Sequence, residues 1–545
     1  MAVGDEPLST AAPMADRRIV AGVVALAAVA VVIGGAFAGL LAEAARNPGG
    51  AVDAFDGYLF RIVRFTLWQA VLSTLLSVAP AILVARAISR HPRFPGRATL
   101  LRLFAVPLAL PAIVAALGVL ALYGRAGLFA GILSGVSQTG WPGIYGLSGI
   151  LVAHVFFNLP LATRLFLETL EAVPADQWRL SAQLGMTART TFRVVEWPAM
   201  RAGLPGIAGL VFMLCVTSFT IVLMLGGGPG ATTLEVAIYQ SLRFDFDPAR
   251  AVTLTLVQIL LTVLVFAALA RLGAVVAGDA NLPVSSRRFA TATVPEAAIN
   301  ALLIGVAFLF VAGLMAATVV AGLRADLVRI AGEEAFRAAL VTSLVLASIS
   351  AVGSVLLSLA LVKARRALEI RDRGAVSLLQ RLAGNGATLV LVVPPIVIGA
   401  GWFVLLRHSG SVFAAAPVMV AAVNAIMAMP FAVRAIRPAH DAASYRHDRL
   451  CQQLGIRGLV RLRLIDWPVL RRPLATAFAF AMALSLGDLG VIALFGSDSV
   501  QTLPYLLYSR MASYRTSDAA GIALILGLLC LALVMAADRL GRQPR

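Results

Sequence analysis

Apolar runs long enough to cross a bilayer recur along the whole chain, and no other feature constrains its fold as tightly. A hydrocarbon layer of ~30 Å takes about 20 helical residues. Such runs lie near 19–42, 65–86, 101–122, 144–163, 204–226, 251–270, 297–321, 338–362, 386–406, 413–433, 474–495 and 519–537. Backbone groups in lipid must satisfy one another, so each run is expected to be a helix. The sequence therefore predicts an all-α polytopic membrane protein with about twelve transmembrane helices. Only 13% of residues are charged and 60% are hydrophobic, against roughly 25% charged in soluble domains. The first run follows Arg17 and Arg18. It is longer than a signal-peptide core and is read as a retained span.

Assigning alternate loops to two sides places most of the 45 Lys and Arg on the side that holds both termini. Such loops face the cytoplasm, so both ends are expected inside. The formal charge of +18 is thus an orientation signal. It is spread over loops rather than gathered on one module, which gives no support to a nucleic-acid partner. Cys215, Cys451 and Cys530 form no CxxC pair, and the five histidines show no HxxxH spacing. Neither a disulfide framework nor a metal site is expected. Asp488, in "LSLGDLGVIALFG", is the one charged residue deep within a proposed span. A charge there should face the bundle interior or a cavity. It reads either as a helix–helix hydrogen bond, as a misplaced span boundary, or as a lining residue of a transport path.

The chain repeats itself. "QLGMTARTTFRVVEWPAMR" from Gln183 returns as "QLGIRGLVRLRLIDWPVLR" from Gln453, 270 residues later. The same register relates Pro160 to Pro430 and Gly226 to Gly496. Upstream, "PLALPAIVAALG" and "LVVPPIVIGAG" correspond at a slightly larger offset. Six spans separate the copies, so both have the same orientation, and the repeat is parallel. The expected halves are 1–285, with a cytoplasmic loop at 168–200, and 286–545, with a matching loop at 438–470. A polar linker near 280–296 joins them. A pseudo-dimer of this kind is expected to place a substrate path between its halves.

In each loop, glycine stands thirteen residues before proline, Gly185 to Pro198 and Gly455 to Pro468. "PADQWRLSAQL" and "SYRHDRLCQQL" can form a helix that the glycine ends. A second amphipathic piece follows, with Phe192, Val194 and Val195 or Leu462, Leu464 and Ile465 among arginines. Proline is placed to begin the next membrane helix, where its missing N–H costs little. One such loop alone could lie on anionic headgroups. Two at fixed geometry suggest docking elements for a symmetric partner.

This arrangement resembles the EAA loop of ABC-importer permeases, the membrane subunits of binding-protein-dependent transporters. The resemblance extends to the fused thiamine/thiamine pyrophosphate permeases through "LVAHVFFNLPLATRLF", "LGGGPGATTLEVAIYQSL", "FDFDPARA", "GDLGVIALFG" and "TLPYLLYSRMASYRTSDAAG", which together sample most of the chain. It implies two six-helix repeats in a fused pseudo-dimer of the MetI-like permease fold. It further implies an inner-membrane location, a cytoplasmic ABC ATPase dimer docked on the loops and a periplasmic thiamine-binding protein. The coupling residues it implies are Arg179, Ser181, Leu184, Gly185 and Pro198, with Arg449, Cys451, Leu454, Gly455 and Pro468. The chain departs from the family where a glutamate is expected six residues before the glycine: arginine stands there in both copies, as Arg179 and Arg449. A small residue four before the glycine is kept as Ser181 and Cys451.

The chain's single lysine, Lys363, lies between Val362 and Ala364, so no Walker A lysine exists to reach phosphates. No GxSxG or HExxH stands in the chain, and Gly226-Gly227-Gly228-Pro229 reads as a turn. An enzyme is therefore not expected, no cofactor is implied, and ATP hydrolysis would fall to another polypeptide. The leading expectation is an importer permease for thiamine or its phosphate esters. The thiazolium cation would suit a carboxylate or an aromatic face. Asp488, its repeat partner Ser218 and the neighbouring Phe219 are the path candidates, Phe219 reading equally as packing. The alternatives are an Fe(III) importer permease of similar architecture and an ion-coupled secondary transporter. The second would call for more ionisable residues within spans than Asp488 and His154.

Overall fold

The computed structural model describes residues 12–46, 49, 54–92, 94–136, 141–271, 294–371, 377–408, 410–456, 458–497 and 500–541. Residues 280–293 of the expected linker and the boundary at 285/286 lie outside the described residues, while 294–296 begin a helix. Helices dominate. Those used below are α1 (Ala12–Arg46), α2 (Gly57–Arg90), α3 (Arg97–Leu103), α4 (Ala112–Tyr123), α5 (Leu147–Glu171), α6 (Ala175–Gln183), α7 (Trp197–Val216), α8 (Phe219–Leu225), α9 (Leu234–Arg243) and α10 (Pro248–Arg271). The series continues with α11 (Val294–Leu323), α12 (Glu334–Arg371), α13 (Pro395–Arg407), α14 (Ala416–Gln453), α15 (Trp467–Gly487), α16 (Gly490–Phe495) and α17 (Thr516–Gly541).

Among the described residues, 10 helices are long and apolar enough to cross a membrane, or 11 if one bent pair counts as a span. The difference from the twelve expected runs falls at 101–122 and 386–406. The first is no continuous helix: Arg97–Ala109 and Ala112–Tyr123 meet at 112°. Leu110 before Pro111 is held extended at ψ 137°, as the ring of a following proline demands. At the second, extended Pro394 precedes α13, which is only 13 residues long. Apolar content marked both runs, and proline decided that neither is a straight rod.

The described chain sorts into two compact units. One comprises Met1–Pro48, Glu333–Leu506 and Leu528–Arg545; the other comprises Gly49–Gly332 and Leu507–Gly527. The first helix of each sequence half, α1 or α11, thus lies in the unit that holds most of the other half. In the first unit, α1 packs along α12 and α13. Small residues make the approach possible: a Cβ on Gly22 would collide with Ala364, and one on Gly39 with the Gly401 carbonyl. Trp402 seals the contact by donating its indole N–H to the Val32 carbonyl at 2.7 Å. Small-residue seams are how membrane helices gain close van der Waals contact when lipid supplies no hydrophobic drive between them. In the second unit, α11 packs on α4 and α2, where a Cβ on Gly118 would meet Thr318. There α2 and α5 lie side by side along most of their length, and α7 covers both.

Candidate functional site

The first loop begins where Pro174, extended at ψ 140°, separates α5 from α6. Helix α6 ends as a Schellman turn. Gly185 takes φ +61°, its N–H donates to the Ala182 carbonyl, and the Met186 N–H donates to the Ser181 carbonyl at 3.0 Å. The left-handed conformation favours glycine because a Cβ there crowds the backbone. Ser181 is buried, and its hydroxyl donates to the Trp178 carbonyl at 2.9 Å. Trp178 packs with Val173 and Val195 in a small apolar cluster that fastens the two limbs of the loop together. Arg179 reaches Asp176 at 3.3 Å with both side chains largely exposed, a pair worth little by itself.

The second loop repeats this geometry with one change. Ser444 stands where the first copy has Pro174, and α14 runs unbroken through the membrane segment and the loop's first limb to Gln453. Gly455 takes φ +62°, and the Ile456 N–H donates to the Cys451 carbonyl at 2.9 Å. Cys451 is buried, as Ser181 is. The Arg449 side chain lies outside the described residues. Large apolar side chains are exposed at matching positions in both copies, Leu180 at 55% and Leu184 at 62%, Leu450 at 47% and Leu454 at 63%.

Proline does not open a fresh helix. Pro198 and Pro468 are the second residues of α7 and α15, and each helix is entered through a five-residue π-helical segment, Phe192–Glu196 and Leu462–Asp466. The wider turn lets the Trp197 and Trp467 N–H groups donate five residues back, to Phe192 and Leu462. Proline's ring crowds the carbonyl four residues before it, and widening the turn relieves that clash. Each segment ends on a buried carboxylate. Glu196 accepts from Arg86 Nε at 2.7 Å and from Arg90 Nε at 3.1 Å. The other ends of the same two guanidinium groups donate to the Ala188 carbonyl, at 3.3 and 3.0 Å. Phe192 lies beneath Arg86, 4.7 Å from ring centre to guanidinium carbon. In the second copy, Asp466 is held by Arg461 at 3.4 Å and by Lys363 at 3.8 Å, and Arg461 also pairs with Asp448 at 2.6 Å.

Both expected spans that contain path candidates are broken at equivalent places. Helix α7 stops at Val216 and α8 starts at Phe219; α15 stops at Gly487 and α16 starts at Gly490. Thr-Ser and Asp-Leu occupy the gaps, and Ser, Thr and Asp side chains compete with helical hydrogen bonds. Ser218 is hydrogen-bonded to His154 Nε2 at 2.9 Å, and His154 Nδ1 to Ser73 at 2.8 Å. Gln69 donates to the Cys215 carbonyl at 2.8 Å, and Asn158 to the Cys215 sulfur at 3.3 Å. Phe219 is buried and packs edge-to-face on Tyr239 at 5.5 Å. Asp488 accepts from the Gly490 and Val491 N–H groups at 3.2 and 3.4 Å, capping α16. Asn424, the counterpart of His154, donates to Ser485 at 3.0 Å.

Sequence reasoning did not single out Glu196, Asp466, Ser73 or Asn424. A signal for the last was available, because His154 and Asn424 each stand six residues before a matched proline. It also passed over Glu235 in α9, which is buried with Oε1 lacking a hydrogen-bond partner among the described residues. Burial pushes that carboxyl up to about 8.

Comparison with known proteins places these features in context. Residues 77–276 and 373–543 each match the family model described as "Binding-protein-dependent transport system inner membrane component". Full-length relatives include the thiamine transport system permease protein ThiP of Brucella abortus, 58% identical over 95% of both chains. The protein of that name from Salmonella typhimurium is 43% identical over 95% of this chain and 97% of its own. The Escherichia coli protein of that name is 41% identical over 98% of both.

Proposed function

Because the chain belongs to the family of binding-protein-dependent transport system inner membrane components, we propose that it is the permease of an ATP-driven importer for thiamine or its phosphate esters. The observation that carries the substrate is likeness at 41% to 58% identity, over nearly the whole chain, to permeases named for thiamine transport. It is a multi-pass membrane protein with the family's membrane component present twice.

In this reading the two loops face the cytoplasm, as do both termini, and each receives one subunit of an ATPase dimer. The matched exposed leucines support that assignment. Leu180 and Leu184, like Leu450 and Leu454, are four residues apart on one helical face beside the glycine turn. Such apolar side chains in a polar loop suit a partner that covers them. Arg179 and Arg449 replace the acidic contact with a basic one, so the groove that receives them presents carboxylates or carbonyls. A periplasmic binding protein delivers substrate to the opposite side. Nucleotide-driven movement at the loops changes which side the path opens to, and the protein does no covalent chemistry. Ser218 and Asp488, at equivalent helix breaks, are the path candidates, with Phe219 beside the first. A cationic ring gains from the Asp488 carboxylate, and irregular backbone at membrane depth belongs where it is buried in protein or lines a cavity.

The test is reconstitution of the permease with its ATPase in proteoliposomes. Thiamine-loaded binding protein stimulates ATP hydrolysis and drives uptake, and iron-loaded binding protein does neither. Stimulation by the iron-loaded protein alone reverses the assignment.

A further inference from the structure

Glu196 and Asp466 close both π-helical segments, and neither is used by substrate binding or by ATPase docking as described above. We propose that these carboxylates are positioning residues that carry movement of each docking loop into the membrane helices. The inference rests on the importer reading and adds the route by which the loops act.

The first copy shows the route in full. Arg86 and Arg90 lie one turn apart at the end of α2. Between them they hold both ends of the loop's second limb, Ala188 through its carbonyl and Glu196 through its carboxylate. The Glu196 side chain is 0% exposed, so its charge is screened little and its partners are hard to exchange for water. The last turn of α2 therefore follows the loop. Helix α2 runs from there to Ser73 and Gln69 with Pro80 between, about 20 Å from Arg86 to Ser73 at 1.5 Å per residue. Those two side chains hold the α7–α8 break: Gln69 takes the Cys215 carbonyl, and Ser73 reaches Ser218 through His154. One helix thus joins a latch at the loop to a latch at the break.

The second copy has the same part at the same offset, built from different residues. Asp466 ends its π-helical segment, and Lys363 on α12 and Arg461 within the loop hold it. The upstream helices match at a larger offset than the loops: Thr66 and Ser343 each accept the N–H of the leucine that opens a later helix, Leu234 and Leu503, which puts Lys363 where Arg86 stands and Ala367 where Arg90 stands. The carboxylate and one basic partner therefore keep their places in both copies, and Arg461 takes over from the second.

The experiment uses the permease–ATPase complex with Thr217→Cys as a reporter at the break, since among the described residues the Thr217 side chain bonds back to Met213 within its own helix and to no other. Maleimide labelling rate is compared between nucleotide-free and ATP/vanadate-trapped complexes. With Glu196 intact, trapping changes the rate by about tenfold, the scale of ordinary coupling between sites. In Glu196→Gln, vanadate trapping persists but the change at Thr217→Cys disappears, and ATP hydrolysed per thiamine imported rises. Glu196→Asp restores part of the change. Arg90→Lys, a gentler variant that loses the fork to Ala188, shifts both readings in the same direction as the glutamine. Should the glutamine variant keep the change, or lose trapping and uptake in proportion at an unchanged ATP-to-thiamine ratio, the proposal is overturned. Thiamine uptake by the Glu196-intact complex judges the substrate reading separately, because the labelling comparison needs no substrate.

Discussion

Asp488 is held by two backbone amides, and the proposed path role asks its carboxylate to meet a passing cation. Replacing it with asparagine keeps an acceptor oxygen for the cap on α16 and removes the charge. Asp488→Asn is expected to lower thiamine uptake by about tenfold or more, the loss of one charge-assisted contact, with ATPase docking intact. Unchanged uptake at normal expression would remove Asp488 from the path. Glu235 has the opposite character, a buried carboxyl with no charged partner among the described residues. Its folded value lies near 8 against 4.5 unperturbed, because burial disfavours the anion. The folded state thus binds this proton more tightly than the unfolded one. The stability it contributes is complete below 4.5 and is lost as pH rises through 8. Glu235→Gln should therefore raise the midpoint of thermal unfolding in detergent more at pH 9 than at pH 6. An equal effect at both values would show that the side chain does not titrate in that range.

At the scale of single elements, the glycine turns are the parts most exposed to test. A Cβ at Gly185 or Gly455 meets nothing within 4 Å, yet both residues have positive φ. The penalty of Gly185→Ala is therefore backbone strain alone, about 1–2 kcal/mol. Gly185→Asn should cost less, since asparagine tolerates the left-handed region. Thermal unfolding of the two variants checks the order, and an alanine variant as stable as the parent would place the strain elsewhere. The two loops also show how a single residue sets element length. Pro174 stops α5 in the first copy, while Ser444 lets α14 run on for 38 residues. The loops keep their matched turns all the same, because the Schellman hydrogen bonds and the buried Ser181 or Cys451 act downstream of that difference.

For the whole molecule, the placement of α1 within its unit depends on what it lacks. Gly401 stands so close to Ala36 that any Cβ would strike its backbone. Gly401→Val should force α1 away from α13 and destabilise this unit by about 1–3 kcal/mol or more, the range for an overpacked interior. Faster proteolysis near the N-terminal segment, with lower thermal stability, is the expected result. Normal stability would mean that α1 contributes little to the unit. The same seam bears on what a reader of the sequence can find, since Gly39 and Gly401 are 362 positions apart and nothing in either neighbourhood announces the other.

Local chemistry repeated along the chain was enough to establish a great deal. Apolar runs required helices in lipid, a constant register of 270 residues required duplication, and Gly185, Gly455, Pro198 and Pro468 marked turns that lie where that register puts them. These follow from the sequence alone because backbone sterics, proline's missing N–H and transfer from water act within a few residues. Tertiary structure alone decided which helices share a unit, that the runs at 101–122 and 386–406 are not continuous rods, and that Glu196 sits between Arg86 and Arg90. It also decided that His154 joins α2 to a helix break. Each of these depends on partners brought together from positions far apart in the chain. A charge or a glycine acquires such a role only when folding supplies the atom it meets.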